Sequence, residues 1–290
     1  MDTAKNMTKS QTAYDVVPFP PLQHQLMDWL ELMRRRHTMY ALIEVDVTDA
    51  RRAVRDYRAR TGAPLSLTAF LIACFARAID QDRAMQAYRL GRRHLVLFAD
   101  VDVTNMVERI VDGQRIPVPH IIRAANRKSR GEIQREIQAA QGETRPYAVA
   151  ARSLPHRLQA AAMRQLPLWL VLPARLRRLA WAWLLRDPHR RKRLTGTVSV
   201  TSVAMFGHGR AWGISPSDYT LGLLIGGLST KPGVVGEQIA PREFMCLTLS
   251  LDHDVIDGAP AARFIKRLTD LIESGAGLHD EKCNGLAAHS

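Results

Sequence analysis

The sequence predicts an α+β domain in which helices cover one face of a largely antiparallel or mixed β-sheet. Of the 290 residues, 46% are hydrophobic and 24% are charged, which is typical of a globular chain and not of a disordered one. Apolar residues recur with helical spacing in some segments and alternate with polar residues in others. Because helices and strands do not alternate strictly along the chain, a mixed sheet with helices on one side fits better than a parallel α/β fold.

The first half of the chain begins with a helical stripe over residues 22–33, which the triplet Arg34, Arg35 and Arg36 ends. A strand follows at 42–47. The clearest apolar stripe covers residues 67–79, and Ser66 is its expected N-cap.

The next segments are β-prone at 95–103 and at 116–122, where two prolines favour an edge strand or a bulge. A short helix at 129–138 begins with Ser129 and Glu132 in the spacing of a capping box. Towards the end of the chain the patterns predict three strands and a last helix, at 197–203, 221–225, 245–251 and 259–274.

The charge of the chain is concentrated in one segment. The sequence has 41 Lys and Arg against 28 Asp and Glu, a net charge of +13, and the segment from Tyr147 to Arg193 alone has 11 basic residues and one acid. Such an excess raises nucleic acid, an anionic membrane or an acidic partner as candidates. No recognition motif is interleaved with these basic residues, so nucleic-acid binding rests on charge alone and is disfavoured.

The same basic segment, 147–193, also contains leucines and tryptophans with helical spacing. The uncharged run between Arg164 and Arg175 has ten residues, whereas a membrane-spanning helix needs about 20. Two interpretations remain open. The segment is an amphipathic hairpin that contacts an anionic membrane or a partner, or it is a pair of helices packed on the body with its arginines in water.

Three cysteines, Cys74, Cys246 and Cys283, cannot form a paired disulfide framework, and residues 1–9 have no apolar core of a secretory signal. We therefore expect a cytoplasmic protein, with peripheral membrane contact through 147–193 as an option. The expected organisation is a flexible tail at 1–15, a catalytic domain at 16–275 with the basic insertion, and a flexible tail at 276–290. Neither a Gly-rich phosphate loop nor a Cys/His metal spacing is present in the sequence, so no metal is expected.

The most informative segment places a histidine between a strand and a helix. Residues 247–251 alternate as a half-buried strand, His253 follows, and Asp257 and Gly258 precede the last helix. A histidine held in such a turn can act as a general base. Taken alone, a histidine near an aspartate is more often a structural pair.

The surrounding residues carry a resemblance. The string Ser250-Leu-Asp-His-Asp-Val-Ile-Asp-Gly-Ala-Pro-Ala-Ala-Arg-Phe264 resembles the active-site signature of the dihydrolipoyl acyltransferase catalytic domains of 2-oxoacid dehydrogenase complexes. The string Gly196-Thr-Val-Ser-Val-Thr-Ser-Val-Ala-Met-Phe-Gly207 is similar to a second motif of this family. The likeness extends from about residue 16 to 274, with the basic segment as an insertion.

The resemblance implies a chloramphenicol acetyltransferase-like two-layer sandwich that assembles as a homotrimer with its active site between subunits. His253 is then the general base, Thr201 stands where the family has a serine that stabilises the oxyanion, and Asp257 holds the turn and pairs with an arginine. Acyl-CoA is a substrate, and no covalently bound cofactor is implied. One departure is Asp254, which stands where the family motif has arginine.

The sequence-based function is a coenzyme-A-dependent acyltransferase with a thiol, hydroxyl or amine acceptor. We expect no lipoyl domain, no subunit-binding domain and no Ala/Pro-rich linker, which favours a stand-alone enzyme. The alternatives are a dihydrolipoyl acyltransferase core served by an acyl-carrier or lipoyl protein in trans, and a non-catalytic oligomeric scaffold of the same fold.

Overall fold

The computed structural model describes residues 21–34, 36–111, 114–142, 172–203 and 209–276. The predicted tail at 1–15, all but residue 276 of the predicted tail at 276–290, and the 147–171 part of the basic segment lie outside these residues. The described helices are α1 (Pro21–Met33), α2 (Thr48–Thr61), α3 (Leu67–Asp80), α4 (Arg130–Gln141), α5 (Ala174–Leu184), α6 (Pro188–Thr195) and α7 (Gly258–Glu273). The described strands are β1 (Thr38–Asp46), β2 (Tyr88–Leu90), β3 (His94–Val96), β4 (Val103–Val111), β5 (Gln114–Ile122), β6 (Val198–Ser202), β7 (Leu221–Val235) and β8 (Gln238–Asp252).

One six-stranded mixed sheet organises the molecule, with the strand order β1-β8-β7-β6-β4-β5. Strand β6 runs parallel to both of its neighbours, β4 and β7, whereas the other pairs are antiparallel. The predicted mixed sheet is therefore confirmed. Strand β5, which contains Pro117 and Pro119, lies at an edge of the sheet, where a missing backbone N–H disturbs the ladder least.

The hydrophobic core lies between one face of the sheet and the helices α2, α3, α4 and α7. Helix α3 is buried along nearly its whole length, and Phe75 meets Phe264 of α7 edge to face at 6.1 Å between ring centroids. On the sheet side, alternate residues of the central strands, such as Leu247, Leu249 and Leu251, point into this core. The predicted placement of helices on one face of the sheet is thus confirmed.

Local signals in the sequence explain how two of the core helices begin. The backbone N–H of Ala69 donates to Ser66 Oγ at 3.1 Å, so Ser66 caps α3 as predicted. Ser129 and Glu132 form the predicted capping box at α4. Among the helices that the structure describes, none has both the length and the apolar character required to cross a bilayer.

Candidate active site

The candidate base His253 lies in a turn whose backbone is fixed on both sides. Its N–H donates to the carbonyl of His37 at 2.8 Å, and the N–H groups of Val255 and Ile256 donate to the carbonyl of Asp252 at 3.0 and 2.9 Å. The His253 side chain itself is 49% exposed. The turn therefore presents an accessible imidazole from a well-ordered backbone at the end of β8.

Asp252, the last residue of β8, anchors this turn from below. Its buried carboxylate accepts a hydrogen bond from Arg36 Nη1 at 2.8 Å and another from the N–H of Asp254 at 3.1 Å. Burial lowers the pKa of Arg36, and the nearby Arg191 lowers it further, while Asp252 opposes the shift. Arg36 follows α1 in sequence, so the start of the described chain helps to hold the catalytic turn.

Asp254 occupies the position at which the sequence departs from the family motif. Its carboxylate accepts a hydrogen bond from His37 Nδ1 at 2.8 Å and one from Arg89 Nη1 at 2.8 Å. The hydrogen bond from His37 is the main cause that lowers the pKa of Asp254 below the ordinary carboxyl value, and Arg89 and Arg36 add to it. The acid in the motif is therefore balanced by cationic or donor groups from two distant segments.

Asp257 lies close to His253 without bonding to it in the single chain. Asp257 Oδ1 is 3.8 Å from His253 Nδ1, beyond hydrogen-bond distance, and the Asp257 side chain is 85% exposed. It occupies the N-cap position of α7 with no side-chain capping bond. Within the described residues of one chain, no arginine pairs with Asp257, since the arginines at this turn bind Asp252 and Asp254 instead.

Thr201 lies on β6 and faces away from the helices, because its neighbours Val200 and Val198 point into the core. On this face a small cavity of about 40 Å³ is lined mainly by hydroxyl-bearing and small residues: Tyr40, Ser199, Thr201, Ser215, Pro216, Ser217, Gly222, Leu223, Leu224, Thr248 and Ser250. At Gly222 a Cβ atom would lie 2.6 Å from Ser250 Oγ, so only glycine allows this approach. The Thr201 hydroxyl thus belongs to a polar layer of the sheet.

The strand register separates Thr201 from His253 within one chain. Thr201 pairs with Leu224 of β7, and Leu224 pairs with Thr248 of β8, five residues before His253. With strands about 4.8 Å apart and a rise of about 3.3 Å per residue, the two Cα atoms lie roughly 20 Å apart. A single chain therefore does not bring the two predicted catalytic residues together.

A larger cavity of about 620 Å³ lies between the sheet and the helices α2, α3 and α4. Three arginines of α2, Arg51, Arg55 and Arg58, contribute to its lining together with Ser202. Because successive residues of a strand point to opposite faces, this cavity lies on the other side of the sheet from the Thr201 hydroxyl.

The described part of the basic segment packs on the body. This packing agrees with the second of the two sequence interpretations, a pair of helices on the body with arginines in water. The arginines of this part are not all in water, however. Arg177 is buried with its Nε 2.7 Å from Asp28 Oδ2, and Arg191 stacks on Tyr88 with its guanidinium carbon 4.0 Å from the ring centroid. Lys192 Nζ is 3.4 Å from Asp102 Oδ2. Acids elsewhere in the chain thus neutralise part of the local charge.

Three residues that position the turn, Arg36, His37 and Arg89, were absent from the sequence prediction. They lie 216, 217 and 165 residues from their carboxylate partners. No local pattern could reveal such contacts. The sequence signal near these contacts was the acid at position 254, which stands where the family motif has arginine.

Comparisons with known proteins show which family this chain resembles. Residues 189–279 match the family described as 2-oxoacid dehydrogenases acyltransferase (catalytic domain). The chain is similar to the dihydrolipoyllysine-residue succinyltransferase component of the mitochondrial 2-oxoglutarate dehydrogenase complex of Saccharomyces cerevisiae. The two are 35% identical over 78 residues, and this match covers 27% of this chain and 17% of that protein. It is also similar to the dihydrolipoyllysine-residue acetyltransferase component of the pyruvate dehydrogenase complex of Acholeplasma laidlawii. Here the identity is 35% over 104 residues, and the match covers 35% of this chain and 19% of that protein. The chain therefore matches less than one fifth of the length of either relative.

The fold likeness covers much more of the chain. A truncated catalytic core of the 2-oxoacid dehydrogenase multienzyme complex from Thermoplasma acidophilum superposes with a TM-score of 0.60 at 21% identity, over 90% of this chain and 99% of that chain. At this identity the likeness shows the fold. Together with the segment that contains both Thr201 and His253, it confirms the resemblance found in the sequence: residues 189–279 match the family of 2-oxoacid dehydrogenase acyltransferase catalytic domains, within a chain whose fold is similar to that of such a core.

Proposed function

We propose that the protein is an acyltransferase that moves an acyl group from a coenzyme A thioester to a thiol, hydroxyl or amine acceptor. The observation that carries the proposal is the family match at 189–279, which contains both the Thr201 and the His253 motifs. The ordered backbone and accessible imidazole of His253 support the role of general base.

In the proposed reaction, an imidazole nitrogen of His253 takes the proton from the acceptor as the acceptor attacks the thioester carbonyl. A tetrahedral intermediate forms, and the Thr201 hydroxyl donates a hydrogen bond to its oxyanion. The intermediate collapses with cleavage of the carbon–sulfur bond, and the protonated His253 returns the proton to the leaving thiolate of coenzyme A. The reaction needs no covalent acyl-enzyme and no bound cofactor.

Asp257 is the proposed positioning residue for the base. Its carboxylate is 3.8 Å from His253 Nδ1, so a small approach in the assembled site lets it accept a hydrogen bond from Nδ1–H and direct Nε2 towards the acceptor. We propose that an arginine pairs with Asp257 in the assembled protein.

A complete site requires a second copy of the chain, and we propose a homotrimer. The separation of roughly 20 Å between Thr201 and His253, which follows from the strand register, supports a site made from two subunits. The exposed side chains of Tyr40 and Leu42 on β1 supply apolar area to be covered there. They lie opposite Ser250 and Thr248 in the register and so share the sheet face of Thr201.

We propose that the acceptor is a small molecule or an acyl-carrier or lipoyl protein. We also propose that the protein is located in the cytoplasm. The relatives are dihydrolipoyllysine-residue succinyl- and acetyltransferase components, which supports a lipoyl protein as the second candidate acceptor.

The test measures release of free thiol from acetyl-CoA and longer acyl-CoAs with a panel of acceptors. We expect His253→Ala to lower kcat by about a hundredfold to ten-thousandfold, as for loss of a general base. Thr201→Val should lower kcat by about a hundredfold, as for loss of one oxyanion donor. The control is His94→Ala, which removes an exposed histidine on β3. Equal activity of wild type and His253→Ala would refute the proposal.

The same assay separates the alternatives. Turnover with dihydrolipoamide as acceptor supports a lipoyl protein as partner, whereas turnover only with other acceptors excludes it. If saturating acyl-CoA neither reacts nor raises the Tm of the protein, the chain is a non-catalytic scaffold.

A further inference from the structure

The side of helix α5 that packs on the body contains a buried arginine, a residue type that is usually exposed. Its Arg177 is buried with Nε 2.7 Å from Asp28 Oδ2 of α1, and its Trp181 meets Trp29 edge to face at 5.4 Å between ring centroids. These two contacts fix the rotation of the helix about its own axis. Arg177 therefore lies on the inner side of the helix, and the apolar residues Leu176, Leu179 and Trp183 face outward.

The outward side of α5 is an apolar stripe. Leu176, Leu179 and Trp183 are 50%, 66% and 65% exposed, and their spacing of three and seven residues places them on one side of the helix. Met27 and Leu30 of the adjacent α1 are exposed as well and widen the apolar surface. This surface on α5 and α1 is named the α5 surface below.

The charges of the α5 surface are mainly positive. Glu31 of α1 lies beside Arg175 and Leu179, and its carboxylate is paired with Arg34 Nη1 at 3.1 Å. Arg175 and Arg186 are exposed at the two ends of the stripe, and the Arg190 guanidinium carbon lies 4.3 Å from the centroid of the Trp183 ring. Helix α5 contains no acid. The nearest acid along the chain, Asp187, is engaged as the N-cap of α6, where it accepts from the N–H of His189 at 3.0 Å.

We propose that the α5 surface binds an anionic lipid bilayer. The apolar stripe enters the boundary between headgroups and acyl chains, and the arginines at its ends contact lipid phosphates. The proposal stands apart from the acyl transfer reaction, because none of its residues belongs to the candidate active site.

Charge complementarity favours lipid over a second copy of the chain. In a two-fold pairing the stripe would face itself in the opposite direction, so Arg175 of one copy would approach Arg186 of the other. Since α5 has no acid and Glu31 of α1 is already paired with Arg34, such a pairing would place like charges together. A bilayer of anionic lipids supplies negative charge at both ends of the stripe.

The first test is co-sedimentation of the full chain with phosphatidylcholine vesicles, with and without phosphatidylglycerol. The double variant Arg175→Gln/Arg186→Gln should bind the anionic vesicles about thirtyfold more weakly, because each arginine near an anionic surface is worth about fivefold. The control, Arg52→Gln/Arg60→Gln, removes two exposed arginines from α2 and should bind as the wild type does. Equal binding of the wild type to both kinds of vesicle would overturn the proposal.

The second test removes the apolar stripe. Leu179→Ser/Trp183→Ser should weaken vesicle binding by about tenfold or more, since buried apolar area contributes to interfacial binding. The control is Val234→Ser/Ile239→Ser, which removes two exposed apolar residues from the β7–β8 hairpin. Because all four side chains are exposed, we expect both variants to keep the wild-type circular dichroism spectrum. If the stripe variant instead dissociates an oligomer and leaves vesicle binding unchanged, a second copy covers the surface and the proposal is wrong.

Discussion

Asp254 shows how a single residue can determine which distant side chains contact the turn that carries the candidate base. In place of an arginine side chain, the turn has a carboxylate that holds His37 and Arg89 at 2.8 Å each. The clamp joins three segments that are far apart in sequence. His253 directly precedes Asp254, and its N–H donates to the His37 carbonyl. His37 therefore contacts both the clamp and the backbone of the candidate base.

Replacing Asp254 by asparagine tests the clamp at the scale of one residue. The substitution keeps the size of the side chain and removes its charge. We expect kcat of the proposed acyl transfer to fall by about tenfold to a hundredfold, because a small displacement of a catalytic group is costly. The KM for acyl-CoA should stay constant. Arg89→Gln should reproduce the loss and Arg92→Gln, in the neighbouring turn, should not; equal effects of the two arginine variants would contradict the clamp.

The pH dependence of stability follows from the lowered pKa of Asp254. The clamp stabilises the folded state when the carboxylate is ionised, so its contribution is present above the ordinary carboxyl pKa of about 3.9. It is lost as the pH falls through the lower pKa of the folded state. The Tm difference between wild type and Asp254→Asn should therefore be constant near neutral pH and shrink below about pH 4. A difference that persists in acid would indicate a loss of packing instead of a loss of charge.

At the scale of elements, the docking of α5 on α1 includes a buried ion pair beside the contact of Trp29 with Trp181. Asp28 and Arg177 are both buried, and their atoms Oδ2 and Nε are 2.7 Å apart. Arg177 Nη1 also donates to the carbonyl of Leu172 at 2.6 Å. Removing one partner of such a pair leaves a charge without compensation, whereas removing both does not.

A double-mutant cycle measures this dependence. We expect Arg177→Met to destabilise the docked α1–α5 pair by about 3 kcal/mol, because it leaves the buried Asp28 carboxylate with only the more distant Arg178, whose Nε is 3.9 Å from Oδ1. The double variant Asp28→Leu/Arg177→Met should recover most of the loss. Hydrogen exchange of the α1 and α5 amides provides the measurement, with the amides of α3 as an internal control. Additive effects of the two substitutions would contradict the coupling.

The same elements show what the sequence could predict. Helix α3 was predicted because its apolar stripe and Ser66 cap are local signals, and the edge position of β5 followed from its prolines. Helix α2 was not predicted, since its buried residues are only Ala50, Ala53 and Val54 in a segment rich in arginine. Strands β7 and β8 extend well beyond their apolar cores because each supplies the ladder partners of the other, which alternation within one strand does not show.

The candidate site followed the same division. His253 and Thr201 were found through motifs that are contiguous in sequence. Arg36, His37 and Arg89 were not, since folding alone brings them to the turn. The buried arginines of the basic segment were missed for the same reason: a charge count does not show that acids elsewhere in the chain neutralise them.

At the scale of the whole molecule, the two faces of the sheet differ in what they contact. Its covered face forms the core with the helices, and its other face carries Thr201 and the exposed residues Tyr40 and Leu42. His253 lies at one end of this sheet and not on the face itself. Since strand geometry holds the two candidate catalytic residues roughly 20 Å apart, assembly of the chain and acyl transfer should be inseparable.

Mixing two inactive variants tests this coupling. In a cyclic assembly, each site takes His253 from one subunit and Thr201 from the next. His253→Ala and Thr201→Val should each be nearly inactive alone. After co-expression in equal amounts, about one quarter of the sites receive an intact histidine from a Thr201→Val subunit and an intact threonine from a His253→Ala subunit. The thiol-release assay should then show about one quarter of wild-type activity. Activity that stays at the level of the separate variants would place both residues in one chain's site and contradict the shared site.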